Sequence, residues 1–225
     1  MFDFYVFDYD HSSLSTENKE RTVELSLLYT LDLLGTMAFA ASGALAAIRR
    51  DMDLFGVLVL GVVTATGGGT LRDIILGALP PFCIQDQTYL YLAILVSLAV
   101  FYFNGKLDFL KSPLLYFDAV GLGTFVVIGT SKALSFNIGF LGAVLMGVMT
   151  ATAGGLIRDI LSNQVPLILC KEVYASACLA GGILLAILSW ANVHAGISAL
   201  LAATLVIALR LMAIRYNWSL PRARE

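Results

Sequence analysis

The stretch VLGVVTATGGGTLRDI at residues 59–74 returns as LMGVMTATAGGLIRDI at residues 145–160, and this duplication decides the fold. The copies align without a gap at an offset of 86 residues. At that offset 17 of the 49 positions from Asp32 to Pro80 are identical, including Asp32/Asp118, Gly35/Gly121, Gly56/Gly142, Arg72/Arg158 and Pro80/Pro166. Shared apolar composition would not repeat the charges and the proline. The match therefore marks an internal repeat.

Around it the 225 residues are 59% hydrophobic and only 13% charged, with a mean hydropathy of +0.85. Soluble chains carry about a quarter charged residues, so this composition places the chain in the membrane class. A net charge of −2 offers no basic surface, which sets nucleic-acid binding aside. Cys83, Cys170 and Cys178 form no metal-ligand spacing and no disulfide framework. With His11 and His194 as the only histidines, no fixed transition-metal site is expected.

Apolar runs of membrane length cover residues 25–48, 54–78, 87–103, 114–134, 138–162, 173–191 and 193–214, the third being short. Seven spans put the termini on opposite sides. Arg49, Arg50, Lys106, Lys111, Lys171, Arg215, Arg222 and Arg224 gather on the C-terminal side, against Lys19, Arg21 and Lys132 on the other. The basic bias predicts the N-terminus outside and the C-terminus, residues 215–225, in the cytoplasm. On this topology Cys83 and Cys170 face opposite sides. Residues 1–24 lack the basic-then-apolar order of a signal peptide and read as a polar tail.

Each repeat holds three spans (25–103 and 114–191), so the second copy enters the membrane from the opposite face. The expected architecture is all-α, with two inverted three-helix units and a seventh helix outside the pseudo-two-fold symmetry. Such architectures place a site or pathway at the midplane between the repeats.

Thr64-Ala65-Thr66-Gly67-Gly68-Gly69 and Thr150-Ala151-Thr152-Ala153-Gly154-Gly155 lie in the middle of spans two and five. Each glycine costs a helix about 1 kcal/mol relative to alanine, so the runs predict helices broken at bilayer depth. Bared backbone survives there only inside protein or along water. Carbonyls and threonine hydroxyls at one level suit transient coordination of a cation, which makes Thr64, Thr66, Gly67, Gly68, Gly69, Thr150, Thr152, Gly154 and Gly155 the candidate pore lining. The competing reading is close helix packing, which is kept for Gly121, Gly123, Gly129, Gly181 and Gly182. Leucine at Gly68 and Gly154 is expected to close the pathway and leave the protein folded.

A charge at the helix centre costs at least ~2.5 kcal/mol and normally has a partner or a water-filled cavity. Asp32 with Arg72, and Asp118 with Arg158, sit at matched depths and are expected to form two ion pairs, with charge at the pore mouths as the alternative. The adjacent Asp73 and Asp159 are not expected to pair with their own arginines, because neighbouring helix positions diverge. Lys132 reads as a snorkelling lysine, as does Lys171 beside Glu172.

The doubled TAT(G/A)GG-x-x-RD motif, within seven spans and a three-plus-three repeat, resembles the trimeric intracellular cation (TRIC) channels, specifically their small prokaryotic members and the bacterial relatives labelled glycine-transporter-like. The resemblance covers about residues 25–215. It implies a homotrimer in the lipid of a bacterial or archaeal inner membrane, with one pore per protomer lined by kinked spans two and five and permeable to K+ and Na+. Animal members carry a Lys-Glu-Val motif on span four, implicated in phosphoinositide binding. Here Lys171-Glu172-Val173 follows span five, so lipid regulation is not carried over.

A passive monovalent-cation channel is the leading expectation, with K+ or Na+ as permeant ion and no cofactor. A secondary transporter of a small solute such as glycine fits inverted repeats equally well. The matched charges disfavour a structural subunit, and an enzyme lacks a catalytic group.

Overall fold

The computed structural model describes residues 16–107, 112–170, 173–216 and 218, with side chains from Ser26 onward except those of Lys106 and Leu107. Its helices are α1 (Thr16–Ile48), α2 (Leu54–Leu76), α3 (Phe82–Gln85), α4 (Thr88–Phe103), α5 (Pro113–Ser135), α6 (Phe140–Leu161), α7 (Leu167–Cys170), α8 (Ala175–Trp190) and α9 (Ala195–Tyr216), with a 3-10 turn at Asn104–Leu107. α1 begins nine residues before the expected first span, and its apolar stretch runs from Ser26 to Ile48. Residues 1–15, Lys171, Glu172 and most of the C-terminal tail lie outside the described residues.

Local chemistry sets the ends. Asp53 caps α2, its Oδ1 accepting from the Gly56 N–H at 2.8 Å, and Pro113 opens α5. Chain reversals use left-handed residues: Asp51, Asn137, Asn163 and Asn192, whose short polar side chains tolerate φ near 55°, and Gly77 at φ 71°.

α1, α2, α5, α6 and α9 are long and apolar enough to cross a membrane. α4 and α8, at the third and sixth positions, have 16 residues each. At 1.5 Å per residue they are about 24 Å long, short of the ~30 Å hydrocarbon core. Each follows a short helix, α3 or α7, that extends the element. This is an integral membrane protein whose outer surface is apolar, with Phe55, Tyr91, Tyr102 and Leu141 exposed.

α1 and α5 are the most buried of the long helices and cross at the centre. A β-carbon at Gly35 would press on Phe125, and one at Gly121 would collide with Phe39. These two contacts are the same contact exchanged by the 86-residue offset. The Phe39 and Phe125 rings meet edge to face at 5.0 Å on the resulting axis. Reciprocity of this kind requires a two-fold relation between the repeats, with α1 and α5 antiparallel. α4 packs on α1 and α2, and α8 on α5 and α6, while α9 rests on α5 and α8 outside the symmetry.

Candidate functional site

α2 and α6 run through the glycine motifs as unbroken α-helices, so the expected breaks are corrected. The glycines serve a crossing instead. A β-carbon at Gly68 would strike the Thr150 carbonyl oxygen, and one at Gly154 would strike the Thr64 carbonyl oxygen, again a reciprocal pair. Without side chains the two backbones approach within reach of each other's carbonyls, and that contact offsets the low helix propensity of glycine. Leucine at these positions is therefore a folding lesion first, contrary to the expectation that the fold would be spared.

The threonines also turn inward. Thr64, Thr66, Thr150 and Thr152 each donate their hydroxyl to the carbonyl four residues earlier, at 2.6 to 2.9 Å, which leaves their oxygen lone pairs as the free acceptors. Gly43 packs on Thr64 and Gly129 on Thr150. Gly69 is covered by the Phe82 ring, whereas Gly155 faces the Tyr174 hydroxyl, Arg158 and Asp118. The candidate lining residues thus form one contiguous core, with Gly67 partly open beside Ile157. Gly121, Gly123, Gly129, Gly181 and Gly182 are packing residues as expected, facing Phe39, Ile207, Thr150, Val206 and Val144.

Beyond the crossing, each face holds a buried charge cluster. On the face where α2 starts and α6 ends, Arg158 Nη1 meets Asp118 Oδ1 at 2.6 Å with neither side chain exposed. The same nitrogen donates to Ser42 of the first repeat. Arg158 Nε binds Asp159 Oδ1 at 2.8 Å, Asp159 Oδ2 accepts from the Leu167 N–H at 2.8 Å, and the Tyr174 hydroxyl donates to Asp118 at 3.3 Å. Arg210 of α9 donates to the Val173 carbonyl at 2.8 Å and stacks over the Tyr174 ring. The pairing is one-pronged, since Asp118 Oδ2 and Arg158 Nη2 are buried without a hydrogen bond.

The opposite face, where α1 starts, repeats the core of this wiring with different added partners. Arg72 Nε binds Asp73 Oδ1 at 2.8 Å, Asp73 Oδ2 accepts from the Phe82 N–H at 2.9 Å, and the Tyr89 hydroxyl donates to Asp32 at 3.0 Å. Asp32 and Arg72 form no ion pair. The expected pairing holds for Asp118 with Arg158 and fails for Asp32 with Arg72. Both arginines also bind the adjacent aspartate, against expectation. The long arginine arm folds back along the helix and presents Nε to the next residue, which a divergence of Cβ directions alone does not forbid. Lys132 is likewise no snorkelling lysine: its Nζ binds Asp73 Oδ1 at 2.7 Å. In the other cluster the corresponding position is Ala46.

Tyr89, Tyr174, Ser42 and Arg210 escaped the sequence reading. The tyrosines carried a signal, because past Pro80 and Pro166 the offset becomes 85 residues and aligns Phe82 with Leu167 and Tyr89 with Tyr174. Ser42 and Arg210 have no counterpart in the repeat. Nearer the membrane surface, Asp86 accepts from Tyr29 at 3.0 Å and from the Thr88 N–H at 2.9 Å. Burial opposes its ionisation, but these hydrogen bonds outweigh burial and keep the carboxyl below its ordinary value.

The family profile described as Glycine transporter matches residues 29–105 and 115–190, one stretch on each half of the duplication. The chain belongs to this family. A relative, the UPF0126 membrane protein of Vibrio cholerae, is 43% identical over 91% of this chain and 86% of its own length. The UPF0126 inner membrane protein YadS of Escherichia coli K12 is 44% identical over 87% of this chain and 95% of its own. Among solved structures, a TRIC cation channel studied for the structural basis of conductance shares 41% identity at a TM-score of 0.80, covering 87% of this chain and 97% of that one. A prokaryotic TRIC channel solved in 0.5 M KCl shares 36% at 0.82 over 87% and 100%. The TRIC trimeric intracellular cation channel orthologue from Rhodobacter sphaeroides shares 34% at 0.81 over 86% and 100%. The TRIC resemblance read from the doubled motif is therefore shown.

Proposed function

We propose that the protein is a passive channel for the monovalent cations K+ and Na+, with a pathway inside each protomer of a homotrimer. The observation that carries this reading is the likeness to solved TRIC channels, at 34% identity or more over at least 86% of the chain. The duplicated core is suited to the task. Threonine oxygens and backbone carbonyls meet at the midplane between buried charge clusters, and a dehydrating cation needs such neutral oxygens.

The packed α2/α6 crossing is then the shut arrangement, and conduction requires these helices to part around Gly68 and Gly154. The basic residues Arg49, Arg50 and Arg215 beside α1, α2 and α9 support a cytoplasmic C-terminus and an external N-terminus. Secondary transport of a small solute such as glycine is the second reading, favoured by the family's description.

The deciding experiment places purified protein in a planar bilayer under a potassium gradient. Unitary cation currents are expected. Saturable glycine uptake into vesicles without such currents would establish the transporter instead, and silence in both assays would leave a structural subunit.

A further inference from the structure

The two charge clusters contain four carboxylates, and three of them meet a cationic nitrogen at 2.8 Å or closer: Asp73, Asp118 and Asp159. Asp32 is the exception. Among the described residues its one hydrogen bond from a side chain comes from the Tyr89 hydroxyl to Oδ2. Both cations of its cluster, Arg72 and Lys132, are spent on Asp73 Oδ1. Formal charges in the cluster cancel, yet among the described residues their arrangement leaves one carboxylate without a cation in ion-pair contact.

An intramembrane carboxylate with no cation in direct contact is costly, and such groups face a water-filled cavity or mark an ion path. Asp32 is placed for that role. It retains 7% exposure where its repeat counterpart Asp118 has none, and it lies one helical turn from Thr36 and two from Phe39 on the pseudo-two-fold axis. Tyr89, itself buried against Phe82, fixes Oδ2 and leaves Oδ1 free to replace a water of a passing cation.

We infer that Asp32 is the cation-recruiting residue of this channel. It draws partly hydrated alkali cations into the end of the pathway where α1 begins, and Tyr89 is the residue that positions it. The inference rests on the channel reading above. It also makes the two ends unequal, because Asp118 at the other end is neutralised by Arg158.

Two recordings in planar bilayers test it. In symmetric KCl at about 20 mM the wild-type unitary current rectifies, and at about 1 M, where the screening length falls to ~3 Å, the rectification disappears. Asp32→Asn removes the rectification at low salt and lowers unitary conductance there by roughly 2- to 10-fold, the lower range of electrostatic focusing. Under a tenfold KCl gradient its reversal potential moves toward zero. The wild-type rectification needs no variant, so the test stands even if Asp32→Asn fails to assemble.

A wild type that conducts without rectifying at low salt overturns the assignment. So does an assembled Asp32→Asn protein with wild-type conductance and reversal potential. A wild type with no cation current overturns the channel reading itself, which separates the two failures.

Discussion

The charge clusters at the two ends share a core of wiring and differ in what is added to it: Ser42 and Arg210 at one end, Lys132 at the other. Both have an arginine folded onto the next aspartate, that aspartate accepting a backbone N–H from the following short helix, and a tyrosine hydroxyl on a second aspartate. At one end the arginine also reaches the second aspartate across α5 and α6. At the other, Lys132 stands where its counterpart is Ala46, its ammonium occupies Asp73, and Arg72 does not reach Asp32. Through Lys132 a residue of the second repeat thus reshapes the first repeat's cluster. The inverted fold makes this possible, since α5 delivers Lys132 to the end opposite its own cluster.

Breaking the closed lock has the largest expected effect. Asp118→Asn leaves Arg158 buried with half its compensation, and removing one partner of a buried ion pair costs about 3–5 kcal/mol. Asp32→Asn removes no ion pair and keeps an oxygen to accept from Tyr89, so it loses only the charge assistance of one hydrogen bond, worth about 1 kcal/mol or less. Thermal denaturation in detergent should therefore rank Asp118→Asn well below Asp32→Asn. Equal losses would mean that the two ends differ in geometry but not in energy.

Next come the shared glycines, which sharpen the comparison by asking where the ends are the same. Gly68→Ala and Gly154→Ala each push a β-carbon into a carbonyl of the facing helix, and overpacking of this kind costs about 1–3 kcal/mol. The two losses should match, because each residue sees the other's environment. The yield of monodisperse protein and the melting midpoint of each variant provide the check. A tolerated alanine at one position alone would show that the crossing is looser on that side.

Much of this was legible in the sequence. The repeat, the all-helical membrane character and the prominence of the two glycine motifs follow from the composition and an ungapped match that carries Arg, Asp and Pro along with the apolar background, although the motifs read there as a pore lining and not as a contact between helices. The conformation at the glycines did not follow, because propensity charges each glycine for an isolated helix, whereas a facing backbone repays the cost through close contact that only the tertiary structure reveals. The Asp32 disagreement has a related cause. Equal depth and equal repeat position argue for equal pairing only when third partners are equal too, and Lys132 is brought beside Asp73 by the fold rather than by spacing. Tyr89 and Tyr174 were hidden by a one-residue slip in the loops after Pro80 and Pro166.

Lys132→Met tests that third partner directly. Asp73 keeps Arg72 and the Phe82 N–H, and the lysine side chain is 25% exposed, so the expected loss is only about 1 kcal/mol, near the upper end for exposed pairs. A loss as large as that of Asp118→Asn would make Lys132 the keystone of its end, with Arg72 the accessory.

The smallest expected effect is a response to acid confined to one end. Asp86 joins Tyr29 of α1 to the start of α4, and the position aligned with it past Pro166 is Lys171. Its carboxyl titrates below its ordinary value in the folded protein, because hydrogen bonds from Thr88 and Tyr29 outweigh the opposing effect of burial. A group depressed on folding stabilises above its unfolded pKa, about 3.9 for aspartate, and that contribution is lost as pH falls through the lower folded value. Between about pH 5 and pH 3, amide protection at Phe82–Gln85 and the first turn of α4, taken relative to the intrinsic exchange rate at each pH, should therefore fall, while protection at Leu167–Cys170 changes less. Asp86→Asn should remove the difference by leaving the protection of both segments alike in its pH dependence. If both short helices loosen in parallel in the wild type, the acid response belongs to the shared aspartates of the two locks and not to the Tyr29–Asp86 contact.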